Sequence, residues 1–246
     1  MSEHVTTESL PGVAVLRMCR PEKKNALTFA MYTALIDGLG QAAADPDVRA
    51  AVLLGTDSVF TAGNDIGDFV KAASTGADMS PPIRFLHALA EFPKPLVAGV
   101  SGVAIGIGTT LLLHCDLVYA DASARFKTPF VDLGLTPEGG SSLLLPALLG
   151  QRGAAEWLLL GDEFGPEQAR AAGLVNAVVA SASEAALAAA RRLADKPGAA
   201  LVEAKRLMKR ASAAAITEAI NLEAEVFAAR LRSPEAMAAF MAFRRK

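Results

Sequence analysis

From Leu96 to Leu113 the chain runs for 18 residues without a charge, directly after Pro93-Lys94-Pro95. That length would suffice for a membrane-crossing helix. The composition argues otherwise. Gly99, Gly102, Gly106 and Gly108 interrupt any uniform helix, and Ser101, Thr109 and Thr110 place hydroxyls inside it. A strand from Leu96, a glycine-rich loop and a buried helix starting near Ile107 fit better. A strand without polar alternation has both faces covered, which points to a sheet with helices on either side.

The rest of the chain supplies them. Further apolar strands are expected at 13–18, 50–54, 117–120 and 175–179. Between them lie helical patterns: one capped by Thr28 and stopped by Asp45-Pro46, a short one after Asn64-Asp65, and one over 82–91. Beyond Val179 the pattern turns helical, over 181–196, over 197–211 with Pro197 in the first turn, and in a long alanine-rich run toward Phe243. Alternating strands and helices give an α/β fold.

With 246 residues, 52% hydrophobic and 20% charged, the chain can build a sizeable core. A net charge of −2 offers no basic face for nucleic acid or anionic lipid. Cys19 and Cys115 are too few and too far apart for a disulfide framework or a zinc site. The polar N-terminus lacks the apolar core of a signal peptide, and Phe-Arg-Arg-Lys at the other end is no peroxisomal address, so a cytoplasmic location is expected.

Chemistry concentrates in residues 126–142, where Glu138 sits in a Pro-Glu-Gly-Gly turn after an apolar run. Gly139 and Gly140 allow a sharp turn, and Ser141 or Ser142 is expected to cap the following helix. A lone acid in apolar surroundings titrates upward, into the range of a general base. Taken alone, the segment fits an ordinary surface turn better.

Two other segments decide between these readings. Together with 126–142, the stretches Val59-Phe60-Thr61-Ala62-Gly63-Asn64-Asp65-Ile66 and Val100-Ser101-Gly102-Val103-Ala104-Ile105-Gly106-Ile107-Gly108-Thr109-Thr110 closely resemble the crotonase superfamily of enoyl-CoA hydratases and isomerases. The resemblance runs from about Val13 to about Val179. It implies a spiral of ββα units, with 1–190 as the α/β core and 191–246 as a C-terminal helical region of the same unit that builds trimers or dimers of trimers. The C-terminal apolar residues Leu201, Leu207, Met208, Ile216, Ile220, Phe227, Leu231, Met237 and Phe240 accord with that.

The resemblance also implies a site. Two backbone N–H groups hold the thioester oxyanion, and matched residue by residue they fall at Ala62 and Ile107, the latter narrowing the site with its side chain. Lys24, Ala26, Gly63, Asn64, Asp65, Ile66, Phe130 and Leu135 are the expected substrate contacts. The substrate is an acyl-CoA, with neither metal nor other cofactor needed. Family hydratases use two glutamates, at positions where this chain has Thr110 and Phe130. Glu138 instead matches the single acid/base of peroxisomal-type Δ3,Δ2-enoyl-CoA isomerases, in a similar Pro-Glu-Gly-x-Ser-Ser run. A proton shuttle needs one carboxylate, hydration two. The expected activity is therefore Δ3,Δ2-enoyl-CoA isomerase, with enoyl-CoA hydratase, dienoyl-CoA isomerase and a non-catalytic acyl-CoA-binding or interaction subunit as alternatives.

Other motifs carry less. Gly106-x-Gly108 lacks the third glycine of a dinucleotide loop, and Ser141 and Ser142 lack the hydrolase elbow. His4, His87 and His114 share no metal spacing, and Asp132 reads as a local hydrogen-bond acceptor.

Overall fold

A computed structural model describes residues 2–68 and 78–243. Its strands are β1 (Val5–Leu10), β2 (Val13–Met18), β3 (Ala50–Leu54), β4 (Leu96–Val100), β5 (Val103–Ile105), β6 (Leu117–Asp121), β7 (Arg125–Lys127) and β8 (Ala177–Val179). Its helices are α1 (Phe29–Ala44), α2 (Pro81–Glu91), α3 (Ile107–Thr110), α4 (Ser141–Ala155), α5 (Pro166–Ala171), α6 (Ala182–Ala194), α7 (Gly198–Lys209), α8 (Ala213–Leu231) and α9 (Pro234–Phe243). Residues 66–68 begin the expected turn of helix after Asp65, and its continuation lies outside the described residues.

Six strands form one sheet in the order β1-β2-β3-β4-β6-β8, parallel except for the β1–β2 hairpin. Val13 lies opposite Ala50, and Val52 opposite Val97. Every residue of β3 and β4 is buried. Leu16 and Leu53 join Leu35 and Leu39 of α1 in one core cluster, while Val15, Val52 and Val97 join Ala186, Ala189 and Ala190 of α6 in another. Small residues let α6 come close: a side chain on Gly99 would meet the Ala182 carbonyl at 2.7 Å. A short parallel pair, β5–β7, stands apart from this sheet.

Three strands escape the apolar signal for physical reasons. β1, Val-Thr-Thr-Glu-Ser-Leu, is a polar edge strand with no fully buried residue. β5 and β7 have three residues each, too few for a period to register. The strand expected from 175 begins at Ala177, because Leu174 and Val175 turn into the core first.

Thr28 caps α1 by accepting the Met31 N–H, and the helix buries Met31, Tyr32, Leu35 and Leu39. Pro197 precedes α7 as its N-cap rather than entering its first turn. The single alanine-rich run expected toward Phe243 is two helices. Ser233 accepts the Ala236 N–H and Pro234 opens α9, a start signal embedded in the run. Ile216, Ile220, Leu231 and Phe240 turn inward, whereas Leu207, Met208 and Met237 are exposed. The helix α8 packs against α2 and α4, which brings its middle to the start of α4. No helix among the described residues is long and apolar enough to cross a membrane.

Candidate active site

Glu138 stands at the mouth of the turn leading into α4. Gly139 (φ 75°) and Gly140 (φ 73°) are consecutive left-handed residues, and a side chain at Gly139 would press on Leu86 and the Thr110 hydroxyl at 3.2 Å. Neither serine caps α4. Gly140 is the N-cap residue, and the Ser141 hydroxyl is buried without a partner among the described residues. The cap comes from α8 instead: Glu223 Oε2 accepts the Gly140 N–H at 2.6 Å and Oε1 the Ser142 N–H at 2.8 Å. No local sequence signal marks a carboxylate so distant in the chain as the cap.

Glu138 is 7% exposed. The Thr110 hydroxyl donates to its Oε1 at 2.5 Å, which leaves Oε2 available. Burial pushes the Glu138 pKa up to about 8, with the Thr110 hydrogen bond opposing and the charge of Glu223 adding to the rise. The buried Tyr32 phenol is pushed well above its usual range, by burial and then by the Glu138 charge. On the other side of the turn, His114 Nε2 donates to the Gly139 carbonyl at 2.8 Å. Burial lowers the His114 pKa to about 4, so the ring is neutral.

The three expected segments run side by side. Leu27 N–H donates to the Gly63 carbonyl and Asp65 N–H to the Leu27 carbonyl, while Thr61 exchanges two backbone bonds with Val103 and Ile105. This ladder corrects one expected donor. The Ala62 N–H is engaged by the Lys24 carbonyl at 2.9 Å, and the Gly63 N–H by the Thr61 hydroxyl at 3.1 Å. Asn64 is the residue of this element whose N–H has no acceptor among the described residues. At Ile107 the expectation stands on better ground: as the first residue of α3 its N–H is likewise unengaged among the described residues. Its side chain, however, is fully buried in the main core and does not narrow the site.

A pocket opens against Glu138, lined by Asn64, Met79, Pro82, Ile83, Leu86, Gly139, Ile220, Ala224, Phe227, Ala228 and Leu231. Glu138 is the one ionisable residue among them. Phe130 and Leu135 are not among these lining residues; both are buried in a cluster with Leu145, Leu158, Leu231 and Phe240, against which Ile66 packs and which adjoins the pocket through Leu231. The apolar wall is built by α2 and α8. Inside the pocket, Asn64 Oδ1 accepts from the Tyr32 hydroxyl at 2.5 Å.

Asp65 has a structural partner. Arg20 Nη1 contacts its Oδ2 at 2.7 Å. Partial burial alone would raise its pKa, but the Arg20 bond and the Asp68 N–H outweigh that and hold it low. Arg20 also donates to the Ala26 carbonyl, an anchor the sequence pattern does not disclose. Lys24 is exposed and adopts a left-handed conformation together with the buried Asn25, whose amide donates to the Val59 and Phe60 carbonyls. Asp132 pairs with Lys127 at 3.6 Å on the surface. No group of three or more His, Cys, Asp or Glu able to hold a metal occurs among the described residues.

The family model described as enoyl-CoA hydratase/isomerase matches residues 8–246. The chain belongs to this family. It is 40% identical over 184 residues to enoyl-CoA delta isomerase 2 of Rattus norvegicus, covering 72% of this chain and 46% of the rat protein. The chain thus spans about half the length of that relative. It is 33% identical over 231 residues to the 1,2-epoxyphenylacetyl-CoA isomerase of Escherichia coli K12, covering 91% of this chain and 88% of that one. Among solved structures, Pseudomonas aeruginosa OdaA superposes with a TM-score of 0.95 at 48% identity, with both chains covered in full. The fold is that of the crotonase superfamily.

Proposed function

We propose that this enzyme is a Δ3,Δ2-enoyl-CoA isomerase that moves a 3-enoyl-CoA double bond to the 2-trans position. The observation that carries the reading is a single buried carboxylate, Glu138, in a pocket whose other described lining residues do not ionise. A C2 proton flanked by a thioester and a double bond is acidic enough for a base held near pH 8. Glu138 Oε2 removes that proton, the electron pair moves onto the thioester oxygen as a dienolate, and the same carboxyl returns the proton at C4. The Asn64 and Ile107 N–H groups are the donors to the oxyanion. Thr110 holds Oε1 and so fixes which oxygen reacts. The proton leaves and returns through one group, so no redox partner is consumed.

Hydration requires a second acid-base group near a bound water. Thr110 serves as a hydrogen-bond donor here and Phe130 carries no ionisable group, which favours isomerisation over hydration. The name of the rat relative, enoyl-CoA delta isomerase 2, agrees with this reading. Assays of 3-enoyl-CoA isomerisation beside 2-trans-enoyl-CoA hydration test the assignment. Isomerisation should dominate by at least about 100-fold, the scale of a positioned acid-base group; dominant hydration would refute the reading.

The assembly we propose is a homotrimer or a dimer of trimers. Exposed Leu159, Leu160, Leu207 and Met208 support association. Light scattering at micromolar concentration should give a mass of three or six chains, and a monodisperse monomer would contradict it.

A further inference from the structure

Two buried polar side chains grip the backbone around Glu138 from opposite sides, yet neither reaches the pocket. His114 follows α3 and donates to the Gly139 carbonyl at 2.8 Å, while Glu223 of α8 accepts the Gly140 and Ser142 N–H groups at 2.6 and 2.8 Å. Both are more than nine-tenths buried. Between them lies a pair of left-handed glycines, the segment of this chain with the greatest intrinsic backbone freedom. From these contacts we infer that His114 and Glu223 are positioning residues that clamp the 139–142 backbone and thereby fix the carboxylate of Glu138 against Thr110.

The inference rests on Glu138 being the acid-base group, but the clamp itself can be read without substrate. Two left-handed glycines in sequence keep one geometry only when their amides and carbonyls are engaged. Here the carbonyl of the first and the N–H of the second are held by different elements. Cutting either tether leaves a buried backbone group unpaired and releases the turn. Glu223 has a second effect. Its charge disfavours a second negative charge nearby, raising the Glu138 pKa in the same sense as burial. The ionisable groups around Glu138 are Tyr32 on α1, His114 after α3 and Glu223 on α8; His87 on α2 is tied to Asn221 of α8. Of these, Glu223 is the one whose charge lifts the carboxyl.

The test compares the wild type with Glu223→Gln, Glu223→Ala, His114→Gln and His114→Leu. Amide hydrogen exchange in the unliganded proteins is the first readout. Protection of Gly140 and Ser142 should fall at least about 100-fold in Glu223→Ala, the size of one lost buried hydrogen bond to a charged group, while amides in the body of α4 stay protected. The second readout is the Glu138 carboxyl titration by carbon-13 NMR, again without substrate. Its midpoint should move to lower pH in Glu223→Gln, where the charge is gone but an acceptor oxygen remains. Turnover is the third: kcat should fall with little change in KM for His114→Leu and recover in His114→Gln, which retains an N–H donor. Unchanged protection at Gly140 and Ser142, or an unmoved Glu138 midpoint in Glu223→Gln, would overturn the inference. If the wild type lacks isomerase activity while both ligand-free readouts behave as stated, the clamp holds and the reaction assignment fails. Should Glu223→Ala not fold, Glu223→Gln and the His114 pair decide.

Discussion

Glu138 lines the pocket and Asp65 follows the lining residue Asn64 in the chain, and their surroundings drive the two carboxylates in opposite directions. Asp65 meets a guanidinium, Arg20, at 2.7 Å and two or more backbone donors, and remains ionised at all but acidic pH. Glu138 is buried without a cation beside it among the described residues, and burial, with the charge of Glu223 adding and the Thr110 hydroxyl opposing, raises its pKa to about 8. The first ties the 20–26 loop to the 61–65 segment; the second can exchange a proton near neutrality. Two acids are thus sorted into strut and shuttle by whether a cation offsets their burial.

The strongest way to break this contrast is Glu138→Gln. It should reduce isomerisation by at least about two orders of magnitude, the usual scale of a positioned base, with near-normal folding by circular dichroism. The same substitution has a signed effect on stability. A carboxyl whose folded pKa lies above its unfolded value favours folding fully only below about 4.5, and that contribution is lost as pH rises toward 8. Glu138→Gln should therefore melt higher than the wild type at pH 8 and show no such advantage near pH 4.5, as calorimetry across that window would reveal. Next in size is Arg20→Met, which leaves Asp65 partly buried and unpaired. A loss of about 1–3 kcal/mol in denaturant unfolding is expected, the cost of an unmet charged partner, with a smaller fall in kcat than Glu138→Gln produces. The smallest effect should come from Thr110→Val. It removes the hydrogen bond that opposes the rise, so the ascending limb of the pH–kcat/KM profile should move upward by about one pH unit, equivalent to about 1.4 kcal/mol. A downward shift would show that Thr110 favours the protonated acid instead.

The limits of the sequence follow the same contrast. β2, β3 and β4 were readable to the residue because their burial is continuous and local. Glu138 was readable because its turn carries its own glycines. What surrounds Glu138 was not. Serines after a Gly-Gly pair look like caps, yet Glu223 takes that place from 81 residues beyond Ser142, and the pattern of α8 gives no hint of it. Ala62 looked like an oxyanion donor until the Lys24 carbonyl, on another loop, was found to hold its N–H. The apolar walls that α2 and α8 give the pocket were not legible either, because they come from segments far from Glu138 in the chain. Properties set by neighbours in sequence were legible; properties set by which distant group arrives were not.

The bond from Gly140 to Glu223 also has a meaning in time. A chain emerging from the ribosome exposes its acid turn 83 residues before the residue that caps α4. Contacts of such separation close late, because the chain between their ends must first be ordered. Until then the glycine pair is untethered and the carboxyl, still in water, titrates in the ordinary glutamate range. A nascent or truncated chain ending short of α8 consequently carries the acid without its tuning. The raised pKa is then acquired late in folding, and it marks the arrival of α8 over the turn.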